Sequence, residues 1–175
     1  LQLLIMVNIF YLHHDPYTCA IFHVDKHVVK MILESCQMLC TAWHVTDPDH
    51  KIFKPPYKQA FKNHPCAKWT RESLQNYQWL CQLALELCKE YTYRYGKIHT
   101  TEKHIHNLIK NTPPLPDIGF TKPNQAMPDM YKDDDSQIAY HHYYFFEKQH
   151  IHSWKGKIAG REIPEFIINF QNMFE

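Results

Sequence analysis

The sequence predicts an all-α protein: a compact, single-domain helical bundle with a short extended segment at its start and a long Pro-rich loop in its second half. Three observations lead there. The stretches 16–44, 65–96 and 133–154 place apolar residues at steps of three and four, the repeat of a helix face. Proline and glycine fall at the edges of these stretches and never inside them. Only 7–12, Val-Asn-Ile-Phe-Tyr-Leu, has the β-branched and aromatic character of an extended run. A chain of 175 residues fits one domain and buries roughly two-thirds of the surface its unfolded form exposes.

Each element follows from local chemistry. Asp15 is a natural N-cap and Pro16 suits the first helical position, so a central helix is expected from about Pro16 to His44, largely buried because apolar residues fall on more than one of its faces. Residues 47–63, rich in Lys and punctuated by Pro48, Pro55 and Pro56, read as a loop. Pro65 opens a second helix that Gly96 closes. A shorter helix over 101–110 precedes the Pro-rich stretch that runs from Pro113 to about residue 132. That stretch is too apolar, with Leu115, Ile118, Phe120 and Met127, to be a free linker. It is expected to wrap across the surface and form one side of a cleft. A third long helix is expected from the Asp133–Ser136 start to about Trp154, and Pro164 opens a last amphipathic one.

Composition narrows the function classes. Hydrophobic residues make up 45% of the chain, which excludes a disordered protein. The formal net charge is +1, so a nucleic-acid binder must gather its cations on one face. Six cysteines without a Cys-x-x-Cys pair read as buried free thiols in a reducing compartment. The opening Leu-Gln-Leu-Leu-Ile-Met lacks a basic n-region and a small-residue cleavage site, and no apolar run approaches about 20 residues. A soluble, intracellular, cytoplasmic protein (in the host cytoplasm if the source is viral) is expected, without a membrane partner. Met6 followed by Val-Asn-Ile-Phe resembles a natural start, which makes 1–6 a candidate extension.

Several groupings carry candidate chemistry. His23, His27, Lys30, Glu34 and Gln37 follow at steps of four, three, four and three, which puts them on one helical stripe. This is either a solvated face with a Lys30–Glu34 pair or the polar wall of an active site. Lys26 and Asp25, just off it, read as surface charges. Lys62, His64 and Arg71 cluster about the start of the second helix, whose free N–H groups either bind phosphate or are simply capped over a buried Trp69. The run Tyr140–Lys155 interleaves aromatics and bases, a pattern that serves base stacking as well as core. His23 and His27 at i, i+4 would be two ligands of a divalent metal, with His64 or Glu34 as a third, and that gives a metal-dependent hydrolase as an alternative. No cofactor is otherwise expected: there is no P-loop, dinucleotide fingerprint or Gly-x-Ser-x-Gly elbow.

The order of these motifs resembles the pyrimidine-dimer DNA glycosylase (endonuclease V-like) family and its phage and bacterial relatives. The likeness rests on Asp25-Lys26-His27-Val28-Val29-Lys30-Met31-Ile32-Leu33-Glu34, Asn63-His64-Pro65 with Trp69 and Arg71, and Cys88–Gly96. It covers about 7–97 and continues only loosely at Trp154-Lys155-Gly156. The resemblance implies a helical enzyme acting on double-stranded DNA, in which an amine attacks the sugar carbon of a damaged pyrimidine to give an imine and a helix-borne carboxylate assists elimination. Glu34 matches that carboxylate, and His23, Lys30 and Arg71 match the basic residues near the lesion. His27, His64, Lys62, Trp154 and Lys155 join them as expected DNA contacts. The family's nucleophile is a processed N-terminal amine. Here 1–6 precede the extended run, so a start at Met6 would expose Val7; otherwise Lys30, or secondarily Lys26, supplies the amine. A third reading keeps the fold without the chemistry, as a viral or phage DNA-binding or virion protein.

Overall fold

Asp15 opens the first helix as its chemistry dictates: its carboxylate accepts from the Thr18 N–H at 3.0 Å and the Thr18 hydroxyl at 2.7 Å. In the computed structural model, which describes residues 7–175, helix α1 (Pro16–Phe22) then stops. The expected single helix 16–44 is two, because the chain turns at His23 and Val24, both in extended conformation, before α2 (Asp25–Thr46). No local signal marks this corner. Arg94, wholly buried, donates to the orphan carbonyls of Ile21 (3.0 Å) and His23 (2.8 Å), and Tyr144 Oη accepts the Val24 N–H at 2.8 Å. These partners satisfy the groups a helix end leaves unpaired.

The second expected helix is also divided, into α3 (Pro65–Thr70) and α4 (Leu74–Tyr95), with Ser73 capping α4 through the Asn76 N–H. Gly96 ends α4 at a φ of 69°, as its position suggested. Helix α5 (Glu102–Lys110) follows. The third expected helix is shorter than its pattern: α6 (Ser136–Glu147) gives way to a 3-10 turn over Gln149–Ile151, and Trp154 lies beyond it in extended chain. The His152 ring takes up the Tyr144 carbonyl at 2.9 Å, replacing a helical bond at that end. Helix α7 (Glu165–Phe174) closes the chain, and no strand occurs among the described residues.

Helices α2 and α4 pack against each other most extensively, and one apolar cluster joins every α-helix. All six cysteines are free and buried. Val7–Leu12 is extended and buried, threaded beneath the later half of the molecule. Asn8 anchors it: its side chain accepts from Tyr140 Oη at 2.9 Å and donates to the Ala126 carbonyl at 2.9 Å. The Pro-rich stretch wraps as expected, pinned through reciprocal bonds between Asn76 and Thr121 and through Trp69 Nε1 to the Thr121 carbonyl. The expected 1–6 extension and the Met6 start lie outside the described residues.

Asp25, expected as a surface charge, belongs to an interior network. Arg94 bonds Asp25 at 3.0 Å and Glu90 at 2.8 Å, Arg161 grips Glu90 with two nitrogens, and Asp25 also accepts from Ser153 and the Gly156 N–H. Removing one partner of such a set leaves the others buried and unpaired. Replacing Arg94 with Ala is expected to lower unfolding free energy by about 3–5 kcal/mol. Arg94→Lys should recover little of it, since one ammonium cannot span four acceptors. Urea unfolding of the three proteins checks both statements.

Candidate active site

The exposed face of α2 is where the polar stripe reaches solvent. Lys26, Val29, Lys30 and Leu33 are exposed along it, and Glu34 lies at its edge, 5% exposed. The Lys30 ammonium stands 3.6 Å from Glu34 Oε1, whereas Oε2 is buried with no hydrogen-bond partner among the described residues. Burial raises the Glu34 pKa; Lys30 and the Asn8 amide pull against it without cancelling it. A fold rarely tolerates an unpartnered buried carboxylate without a use for it, and a carboxyl displaced toward neutrality suits acid–base work.

Two cavities open nearby. The first, about 610 Å³, has Lys30, Glu34 and Gln37 of α2 on one side and Tyr57, Phe61 and His99 on the other. The second, about 550 Å³, is bounded by Val7, Asn8, His64, Met127, Tyr143 and Glu147. The wrapping loop thus supplies one side of a cleft, as the sequence suggested. Phe61 adopts a φ of 57°, a left-handed conformation that costs a bulky side chain on the order of 1–3 kcal/mol. Its neighbour Ala60 is held by both backbone groups to the Thr41 hydroxyl, and the Phe61 carbonyl accepts from the His64 N–H.

The predicted residues divide sharply in the fold. Glu34, Lys30 and the Val7–Asn8 segment come together. His23 does not join them: it caps α1, is wholly buried with its Nδ1 2.6 Å from the Cys19 carbonyl, and burial pushes its pKa down to about 4. His27 is buried against Phe10 (ring centroids 4.3 Å, stacked) and Tyr144 Oη (2.8 Å), with its pKa pushed down to about 2, chiefly by burial. Both rings are therefore neutral packing groups that reach no phosphate. Among the described residues no three His, Cys, Asp or Glu side chains gather to hold a metal ion.

His64 caps α3 through the Cys66 N–H and borders the second cavity; burial lowers its pKa, so it offers a neutral ring. Arg71 donates to the Lys62 carbonyl at 2.7 Å and so braces the loop that carries the exposed Lys62. Trp154 is buried, its indole N–H on the Phe22 carbonyl, and reaches no surface. Lys155 is exposed at the Asp25 corner, where α2 begins, with Glu34 roughly 14 Å further along the helix axis.

Sequence reasoning missed Lys148, Tyr57 and Phe61. The Lys148 ammonium is 5.0 Å from the Tyr143 ring centre and 5.9 Å from that of Phe10, and burial together with Lys30 lowers its pKa. It ends α6, a position that the over-long helix expected over 133–154 concealed. Tyr57 and Phe61 stand in a segment read only as loop, and no spacing pattern links them to α2.

A family model described as pyrimidine dimer DNA glycosylase matches residues 7–104. No curated protein and no solved structure matches the chain. The matched segment carries Val7, Lys30, Glu34, Tyr57 and Phe61; Tyr143, Glu147 and Lys148 lie beyond it.

The raised pKa of Glu34 has a consequence for stability. An acid with a raised folded-state pKa favours folding below its unfolded pKa and loses that contribution as pH rises through the folded value. Glu34→Gln is therefore expected to melt at a higher temperature than the parent at neutral pH. The margin should close as pH falls to about 4, the ordinary carboxylate range. Thermal melting across that interval checks the sign; a variant less stable at neutral pH would contradict it.

Proposed function

Taking as premise that the chain belongs to the pyrimidine dimer DNA glycosylase family, whose model spans more than half of it, we propose that it excises damaged pyrimidines from double-stranded DNA and then cleaves the abasic strand. The observation that carries the reading is Glu34: a buried carboxyl with one oxygen unpartnered among the described residues, a lysine 3.6 Å away, and the Asn8 backbone beside it.

The chemistry follows from these groups. A neutral amine attacks C1′ of the damaged nucleotide; the C1′–N bond breaks, and the base leaves with the bonding pair and is protonated. Loss of the amine proton and opening of the sugar give an imine. Removal of a C2′ proton then expels the 3′ phosphate. Glu34 stabilises the developing positive charge as a carboxylate and relays protons as its state changes. The amine must be unprotonated to act. Two groups are candidates for the amine: the Val7 α-amine in a chain whose first residue is Val7, and the Lys30 ε-amine, 3.6 Å from Glu34. The first is favoured by its buried setting beside Asn8.

Binding falls to cations that remain exposed. Lys51, Lys54, Lys58 and Lys62 all project from the 47–63 loop, with Arg71 bracing it, and Lys30 stands beside the carboxyl. Phosphate contacts of this kind position a duplex without reading its sequence. Among the described residues no helix is long and apolar enough to cross a membrane. Six buried free thiols accord with work in a reducing compartment.

Borohydride trapping on abasic duplex tests the chemistry. The chain beginning at Val7 is expected to form a covalent adduct, and Lys30→Ala in that chain to retain it. Glu34→Gln should slow strand cleavage by about 100-fold or more while leaving duplex affinity intact. No adduct from any form, or cleavage unchanged in Glu34→Gln, would overturn the mechanism.

A further inference from the structure

Helix α7 carries more hydrocarbon than its place in the fold encloses. Between Glu165 and Glu175 the run 166–174 is mostly apolar and has no charge, yet only Ile167 is buried. Its first turn is well seated: Phe166 stacks on His141, ring centroids 3.9 Å apart, and meets Phe22 edge-on at 5.6 Å. Its second half rests on α6 through rings. Phe170 lies 5.5 Å from His142 and 5.4 Å from Phe145, and Phe174 lies 5.3 Å from Phe146. Phe146 in turn stacks on Tyr131 at 6.0 Å, which brings Met130 to the same surface. The outer side of this cluster is open. Phe146 and Phe174 stand 41% and 57% exposed, Met173 70% and Met130 78%. At about 200 Å² for an aromatic side chain, the two rings alone leave roughly 200 Å² uncovered. The methionines extend the patch to the several hundred Å² at which an exposed apolar surface marks an interaction site.

We propose that this surface joins two copies of the chain about a two-fold axis, with Phe146, Met173 and Phe174 at its centre. The open apolar area is a large part of the about 800 Å² that each partner contributes to a stable interface. Its chemistry selects the occupant. A two-fold interface sets a patch against itself, so a charge near its centre would face its own like. Helix α7 keeps its carboxylates at its two ends and places the exposed Asn169 and Asn172 between them. An amide both donates and accepts, so it can pair with a copy of itself. Charges return only around the patch, as Glu147, bonded by Tyr131 Oη at 2.8 Å, and the Asp129–Lys132 pair beside Met130. An apolar centre with a polar rim is the anatomy of a protein interface. Such a centre offers phosphate nothing to hold, unlike the lysine-bearing 47–63 loop. The patch also lies beyond the family-matched residues 7–104, and it is independent of the chemistry at Glu34.

Sedimentation equilibrium of the full chain, over a series from about 1 to 100 µM that spans micromolar association, tests the proposal. The parent is expected to pass from the mass of one chain to that of two, and its melting temperature to rise with concentration. Phe174→Asp and Met173→Asp should each raise the dissociation constant by about 30-fold or more, the loss of a central interface residue. Met173 is the more exposed of the two, so its effect reports the interface rather than the seating of α7. Ile163→Asp serves as the control: it is 46% exposed, but it precedes α7 and lies roughly 15 Å along the helix axis from Phe174. It should associate as the parent does. A parent that remains a single chain at the highest concentration overturns the proposal. So do Asp variants that associate as tightly as the parent, or an Ile163→Asp variant that dissociates equally.

Discussion

Arg94 is the constraint to which the rest of the molecule is fitted. It is fully buried, yet every direction of its guanidinium is used: two carbonyls at the α1 end, Asp25 at the α2 start and Glu90 on its own helix. A cation so placed is stable only when its acceptors are complete, and the chain supplies them by bending where nothing local asks it to bend. The corner at His23–Val24 turns α2 so that its Lys30–Glu34 face looks outward while His27 looks into the core. Ser153 and Gly156 then bind Asp25, which fastens the segment after α6 to the same point. The outward aim of the Lys30–Glu34 face is thus set by a charge network at the start of α2, well away from Glu34.

Burial sorts the titratable groups around that face. His23 and His27 are enclosed among Phe10, Tyr144 and neighbouring rings and held neutral. Glu34 is about as enclosed by area, with a lysine at one oxygen and, among the described residues, no partner at the other. The two rings are held on the core side, their Nδ1 atoms against the Cys19 carbonyl and Tyr144 Oη, whereas Glu34 stands at the edge of the exposed face and borders a cavity. Composition gave every histidine on the stripe equal standing, and the fold turns His23 and His27 inward while Lys30, Glu34 and Gln37 border a cavity.

What was legible in the chain follows the range of the forces involved. Caps, closing glycines and periodic apolar faces act within a few residues, and Asp15, Gly96 and the wrapping apolar loop were read correctly from them. The corner at His23 depends on Arg94, 71 positions away, and its absence from the sequence reading turned two helices into one and put His23 on a stripe it does not share. The break before Ser73 had a local signal, the Ser-Leu-Gln-Asn cap, overlooked beneath a strong apolar repeat. The end of α6 had none, since the His152–Tyr144 bond that replaces the helical one forms only in the tertiary structure. Glu34, Lys30 and Val7 emerged from pattern and family resemblance, whereas Tyr57, Phe61 and Lys148 depend on how loops and helix ends meet α2.

The threading of Val7–Leu12 sets the order in which this protein becomes competent. Asn8 finds its partners at Ala126 and Tyr140, separated from it by 118 and 132 positions, and the cavity at Val7 is walled by Tyr143 and Glu147. Closing so long a span is a late and slow event in folding. A ribosome that has released only the family-matched segment has made Glu34, Tyr57 and Phe61, but not the roof over the extended run. Emergence of α6 supplies that roof, so a chain released only as far as the matched segment holds Val7–Leu12 without the partners that Ala126 and Tyr140 provide.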